Sequence, residues 1–344
     1  MRGLKSHNRT LQKTREKIIL IFFRVLVIAA LIIAIWAQNN YVMTRKFVYS
    51  TDDLPKSFTG YRVLHISDIC NTSNNIVGHA NKAKPDIILL SGGYADKSGN
   101  CNRTVDVVNK LCNIAPVYYI YNTNDTTDCL SGTSAINVTD TSVDVGPGVS
   151  DATALVEKAY GDKIIKKANK GDEDAVQYLQ YITDELKDEN NPVLRICGIN
   201  NMQGKSAKEL QEKSYKITGS DDTGLTIMLN GNLANIDNLC ARNVDIMCIG
   251  GTFGKSSDVA SCSKGAYSDN GTQLFVSGGC GNLTGKRIAN LPEMQLIVLS
   301  DGTIKQTNPI ESFLDLIIGD VGTIYDNDGG FTSYTYKYGV EENQ

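Results

Sequence analysis

Side chains able to hold a metal ion or move a proton are scarce in this chain, and the scarcity limits its chemistry. There are three histidines, His7, His65 and His79. Sites built on two metal ions draw several ligands from histidine. His7 precedes a long apolar run, which leaves two for a folded domain. The nine cysteines are Cys70, Cys101, Cys112, Cys129, Cys197, Cys240, Cys248, Cys262 and Cys280. None form a C-x-x-C pair, so a zinc ribbon is not expected, and an odd number excludes complete internal pairing. Cys197 and Cys248 lie in apolar runs and read as core residues. Cys101, Cys112 and Cys129 are the candidates for a bridge if the domain faces an oxidising space. Gly250-Gly251-Thr252-Phe253-Gly254 is glycine-rich but has no Lys-Ser/Thr pair, so it is not a phosphate cradle of the Walker type.

The elements that must position these residues are strands. Apolar runs recur at Tyr61-Ile66, Asp86-Leu90, Val117-Tyr121, Leu194-Ile199, Leu225-Leu229, Val244-Ile249, Gln273-Val276 and Gln295-Leu299, and another strand opens at Lys46-Tyr49. Most are continuous rather than alternating, which suits strands buried on both faces. Helical spacing at Val105-Cys112 lies between two of them. The order points to an α/β fold with mixed sheets. Residues 151–189 differ, being rich in Ala, Glu, Lys and Asp with helical spacing in Ala152-Ala159 and Asp174-Leu186. They read as a two-helix surface insertion, with a lid or partner surface as the sharper reading. Ser131-Val149 reads as a loop. His65 falls inside a strand and reads as a core histidine; His79 falls on a helix after the first run.

Composition sets the remaining bounds. Of the 344 residues, 41% are hydrophobic and 21% charged, enough for a sizeable core. The formal charge of −4 gives no reason to expect nucleic acid. Ile18 to Ala37 is apolar over the ~20 residues needed to span a bilayer, with Arg24 near one end and Trp36 at the other. Arg2, Lys5, Arg9, Lys13, Arg15 and Lys17 precede it against one acid, Glu16. This reads as an uncleaved, single-pass membrane anchor with a cytoplasmic N-terminus and an extracellular C-terminal domain. The expected organisation is a basic leader (1–17), the anchor (18–37), a juxtamembrane stretch (38–57), one domain (58–320) and a C-terminal tail (321–344). Asn102-Arg103-Thr104 and Asn137-Val138-Thr139 match the N-glycosylation pattern, which matters only in a glycosylating pathway.

Short blocks past the predicted strands resemble the calcineurin-like metallophosphoesterase family, and most closely its membrane-anchored bacterial branch. The strand lead-ins carry the likeness: Leu54-Pro55-Lys56-Ser57-Phe58-Thr59-Gly60-Tyr61-Arg62-Val63, Lys84-Pro85-Asp86-Ile87-Ile88-Leu89-Leu90 and Ala115-Pro116-Val117-Tyr118-Tyr119. Leu274-Phe275-Val276-Ser277-Gly278-Gly279-Cys280-Gly281-Asn282 and Asn290-Leu291-Pro292-Glu293 extend it. The resemblance implies a four-layer αββα sandwich with mixed sheets. It also implies a two-metal site at the strand ends, clamping phosphoryl oxygens and activating water.

The ligand positions depart from the family's. Asp68 is kept, but Cys70 stands for histidine and Gly93 for the metal-bridging aspartate. Thr123 replaces the ligand asparagine, and Asn124 the histidine that assists the leaving group. Gly231 stands for a histidine in Asn230-Gly231, and Gly251 and Phe253 replace two more. Asp96 is retained without being a principal ligand. The expectation is a pseudoenzyme with a binding or scaffolding role at the outer membrane face. It would use no cofactor, and its protein partner would dock on the 151–189 insertion. The alternative is an active phosphoesterase for a phosphate ester or phospholipid-like substrate. That form would hold two divalent ions of Mn, Fe or Zn type at a site remodelled around Asp68, Cys70, Asp96, Asn124 and Asp125.

Overall fold

The computed structural model describes residues 2–72, 75–121, 125, 128–147, 156, 163–187, 193–200, 206–219, 224–233, 236–240, 243–251, 264–281, 283, 291–301, 320–321, 336–337 and 340–341. A long helix, α1 (Arg2–Asn40), comes first, and only Tyr41 and Val42 separate it from strand β1 (Met43–Ser50). Then come β2 (Arg62–Ile66), α2 (Ile76–Ala83), β3 (Ile87–Leu90), α3 (Asn102–Cys112), β4 (Val117–Tyr119), β5 (Ile136–Asn137) and β6 (Ser142–Val145). The chain continues through α4 (Lys163–Ala168), α5 (Glu173–Lys187), β7 (Leu194–Ile199), α6 (Ala207–Thr218), β8 (Thr226–Asn230), α7 (Ile236–Cys240) and β9 (Ile246–Ile249). It closes with β10 (Gly265–Asp269), β11 (Thr272–Val276), β12 (Glu293–Ser300), β13 (Asp320–Val321), β14 (Tyr336–Lys337) and β15 (Val340–Glu341).

Two mixed sheets organise these elements. A seven-stranded sheet has the order β13-β1-β12-β2-β3-β4-β5, and a six-stranded sheet the order β10-β11-β9-β8-β7-β6. Strands β2, β3 and β4 run parallel, as do β7, β8, β9 and β11. The buried runs are those that read as continuous apolar sequence: Ile87–Leu90 and Ile246–Ile249 are covered along their whole length. Three apolar clusters account for the burial. One joins the two sheets, with Val63, Leu89, Ile297 and Phe47 from the first and Ile196, Leu229, Cys248 and Phe275 from the second. Phe47 and Phe275 meet edge to face at 5.2 Å. A second cluster packs Ile76 and Ala80 of α2 and Val108 and Leu111 of α3 on the first sheet. The third packs Leu210 and Ile217 of α6 and Ile236 and Leu239 of α7 on the second. Burying each such side chain contributes about 1.5–3 kcal/mol.

Local sequence explains where the helices begin. Asn75 caps α2 by accepting from the Gly78 N–H at 3.0 Å. Ser206 and Glu209 form a capping box at the start of α6. In α3, Val108 and Leu111 repeat at helical spacing and turn one face inward.

Two expectations need correction. The stretch Ser131–Val149 is not simply a loop, because β5 pairs with β4 and β6 with β7, adding an edge to each sheet. These strands are short and largely exposed, so they lack the apolar run that marks the others. The tail reading is also incomplete: β13 pairs with β1, and β14 with β15. Of the three candidate cysteines, Cys101 and Cys129 form the disulfide and Cys112 stays free. Separately from these, among the described residues no helix is long and apolar enough to cross a membrane, and the expected anchor (18–37) has described side chains only from Ile18 to Ile33 and at Trp36. The described side chains of α1 run from Arg15 to Ile33 and include Arg15, Glu16, Lys17 and Arg24, with Trp36 beyond. The side chains of residues 34, 35 and 37–40 lie outside those described. So does most of the predicted helix Ala152-Ala159, of which only Val156 is described.

The disulfide ties the start of α3 to the segment after β4 and closes a loop of 28 residues. A cross-link of that span stabilises by about 3–4 kcal/mol through loss of unfolded-state entropy. A double Cys101→Ser/Cys129→Ser variant should lose that much in urea unfolding. An unchanged midpoint would show that the bridge does not constrain the unfolded chain.

Candidate functional site

The residues singled out in sequence converge where the two sheets meet. Asp68 and Cys70 follow β2, Gly93 follows β3, Asp125 follows β4, and Gly251 follows β9. The parallel strands carry all of these to one edge. The segment from Asp68 to Asn71 is left-handed at three residues, with φ of 50° at Asp68, 49° at Cys70 and 56° at Asn71. Such a conformation costs of order 1 kcal/mol for a residue like cysteine. Backbone clasps hold it in place. Asp68 N–H donates to Gly92 O (2.9 Å) and Cys70 N–H to Gly93 O (2.8 Å), while Gly281 N–H donates to Asp68 O (2.6 Å).

The Asp68 side chain, 1% exposed, reaches across the seam. It accepts from Gly251 N–H at 3.0 Å (Oδ2) and 3.2 Å (Oδ1). The Ser67 hydroxyl lies 3.2 Å from Oδ2 and 2.8 Å from Ser277 Oγ. Asp125 is likewise committed, accepting from Tyr94 N–H at 2.8 Å and Gly93 N–H at 3.2 Å. Both carboxylates thus organise the backbone of the neighbouring block.

Gly93 has no room for a side chain. Its φ is +77°, and a Cβ there would stand 2.7 Å from Asp68 Cα, a backbone atom that cannot step aside. Gly250 is similarly tight, since a Cβ would fall 2.8 Å from Ser67 Cβ. Asn230, just before Gly231, turns its side-chain oxygen back onto Asn232 N–H at 3.3 Å. Cys70 is buried. Thr123, Asn124 and Phe253 lie outside the described residues. Among the described residues, no three His, Cys, Asp or Glu side chains are grouped to hold a metal ion. Among the described residues, Asp68 and Asp125 are bonded to backbone N–H groups and backbone lies close against Gly93.

Two other sequence candidates lie at the rim of this edge rather than at the Asp68–Gly251 contact. Asp96 lies at the surface and accepts from Ser98, Asn100 and Asn71. Those bonds, led by the Ser98 hydroxyl, hold its carboxyl down at about 2. His79 meets Tyr41 edge-on at 5.9 Å and Thr44 Oγ1 at 3.4 Å, beside the start of β1.

His65 does sit below the site, in a polar chain that sequence reading did not foresee. Gln295 Nε2 donates to Val276 O at 2.9 Å, which leaves its Oε1 to accept from His65 Nδ1–H at 3.0 Å. His65 Nε2 then accepts from the Ser91 hydroxyl at 2.7 Å. All three side chains are fully buried. The signal was a buried polar residue in or just past an apolar strand: His65 in β2, Ser91 one residue past β3 and Gln295 in β12. Glu293, also buried, accepts from Gly278 N–H at 3.0 Å and faces Arg45 at 3.5 Å and Lys264 at 3.7 Å.

The chain matches no model of a known protein family, and no curated protein matches it.

Two outcomes follow from this geometry. Placing a carboxylate at this position with Gly93→Asp should cost at least about 2 kcal/mol in urea unfolding, because the residue would be left-handed and pressed on Asp68. It should bring no bound metal by elemental analysis. A stable variant that acquires metal would show that the edge can open. Burial holds the His65 pKa down at about 4, against 6.5 ordinarily. The unfolded chain therefore binds a proton below pH 6.5 that the folded protein refuses until pH 4. Stability from this residue is full above that window and falls as pH drops through it, by about 3 kcal/mol. A His65→Gln variant should flatten that part of the pH profile of unfolding free energy. An identical slope would mean that His65 is not buried neutral.

Proposed function

We infer that this chain is a membrane-anchored protein of calcineurin-like phosphoesterase fold that has become a pseudoenzyme, with a binding or scaffolding role outside the membrane. The observation that carries this reading is the closed edge. Asp68, the one family ligand retained, is bonded to Gly251 N–H, and Gly93 leaves no space for the bridging carboxylate. Removing a single ligand from a metal site costs orders of magnitude in rate; here several are replaced together.

Further observations support the fold and the placement. Helices α2 and α3 cover one sheet, α6 and α7 the other, and the sheets share a core, which supports an αββα layering. The Cys101–Cys129 disulfide fits an oxidising compartment. In α1, the side chains from Ile18 to Ile33 are exposed, among them Phe22 (68%) and Ile33 (65%), and Trp36 is 66% exposed. So large an apolar surface calls for a lipid environment. The helical insertion, with Val176 and Tyr181 exposed on α5, is where a protein partner would dock.

Elemental analysis of the purified domain, residues 41–344, tests the reading. It should carry no stoichiometric manganese, iron or zinc and hydrolyse no generic phosphomonoester or phosphodiester. Bound metal that disappears in Asp68→Ala, together with turnover lost in the same variant, would overturn it.

A further inference from the structure

The path of the first strand fixes which end of the domain meets the membrane. β1 pairs parallel with β12, placing Met43 beside Glu293. β12 pairs antiparallel with β2, placing Gln295 beside His65. Two residues further in that register, Glu293 is level with Ser67. Met43 and Ser67 therefore share one row of the sheet, two strand spacings or about 10 Å apart. Asp68 is the next residue outward on that row's edge.

Ahead of Met43 there are only Tyr41 and Val42 before α1 ends. Two extended residues span at most about 7 Å. The Tyr41 ring is held against His79 of α2, so even this short link is fastened to the domain. The opposite end of the domain lies a full strand away: β1 has eight residues, about 26 Å at the usual rise. Thr51 and Asp53 stand there, beside the starts of β8 and β9, where Leu225, Thr226, Asn243 and Asp245 share a polar pocket with them.

We propose that the strand-end edge carrying Asp68, Gly93, Asp125 and Gly251 lies against the bilayer that holds α1, so that whatever this edge binds is presented by a lipid surface. The proposal rests on the anchor reading above. The partner is the membrane of the anchor itself. The arguments for it are the two-residue link, the polarity of β1 and the exposed apolar side chains of α1. The far end, with Asp53, faces bulk water.

The test uses the full chain reconstituted in phosphatidylcholine–phosphatidylglycerol vesicles. A photoreactive benzophenone residue is placed at Lys97, in the exposed turn after Gly93, or in a second variant at the exposed Asp53. Both positions are at the surface, so neither variant threatens the fold. Vesicle flotation reports the anchor, and mass spectrometry of lipid adducts reports the orientation. The expected result is flotation of both variants with several-fold more lipid adduct from Lys97. Flotation with equal adducts, or with more from Asp53, overturns the orientation and leaves the anchor standing. Failure to float removes the anchor, and the proposal with it.

Discussion

The contact between the Asp68 carboxylate and the Gly251 backbone N–H holds the two sheets together at their shared edge. It joins the segment after β2 to the segment after β9 across the seam. The carboxyl is buried, and a buried polar group is costly unless it is bonded. Here the bonds come from a backbone donor and a neighbouring hydroxyl. The close approach of Gly93, the left-handed run through Asn71 and the clasp of Gly281 all meet around that residue.

The same contact separates two uses of a single aspartate. A carboxylate at a metal needs its lone pairs directed outward to an ion and a supporting shell that keeps them there. Asp68 instead spends them on the adjacent block, as Asp125 does on Gly93 and Tyr94. Beneath them, the Ser91–His65–Gln295 chain has the order of nucleophile, base and orienting group. It is sealed beneath the edge, with Gly250 packed on Ser91, so its hydrogen bonds specify strand pairing in an otherwise apolar core.

Much of the fold was legible because the central strands are continuous apolar runs. Ile87–Leu90 and Ile246–Ile249 could hardly have been anything but buried strands. The edge strands β5 and β6 were not legible. Their pairing comes from a neighbouring strand, and their own residues, such as Asn137 and Asp144, have turn-like chemistry. Through the resemblance, Gly93 and Gly251 could be read in sequence as lost ligands. That Gly93 is also a steric requirement could not, since it follows from the distance to Asp68 Cα. The partners of His65 were hidden for a similar reason: Gln295 is 230 residues away, and only the sheet register brings it near. Among the bridge candidates, spacing could not choose between Cys112 and Cys129. The choice is made by α3, which carries Cys101 at its cap and Cys112 a full eleven residues further on.

The placement of β1 also has a mechanical side. It enters directly from α1 and is laddered to β12 over all eight residues, from Met43–Glu293 to Ser50–Ser300. A pull transmitted from the helix along the strand axis would load that ladder in shear, so its hydrogen bonds share the force and must break nearly together. The same bonds peeled from one end would fail in sequence at far lower force. The strand that leads into the domain is thus also the one best arranged to resist being drawn out of it.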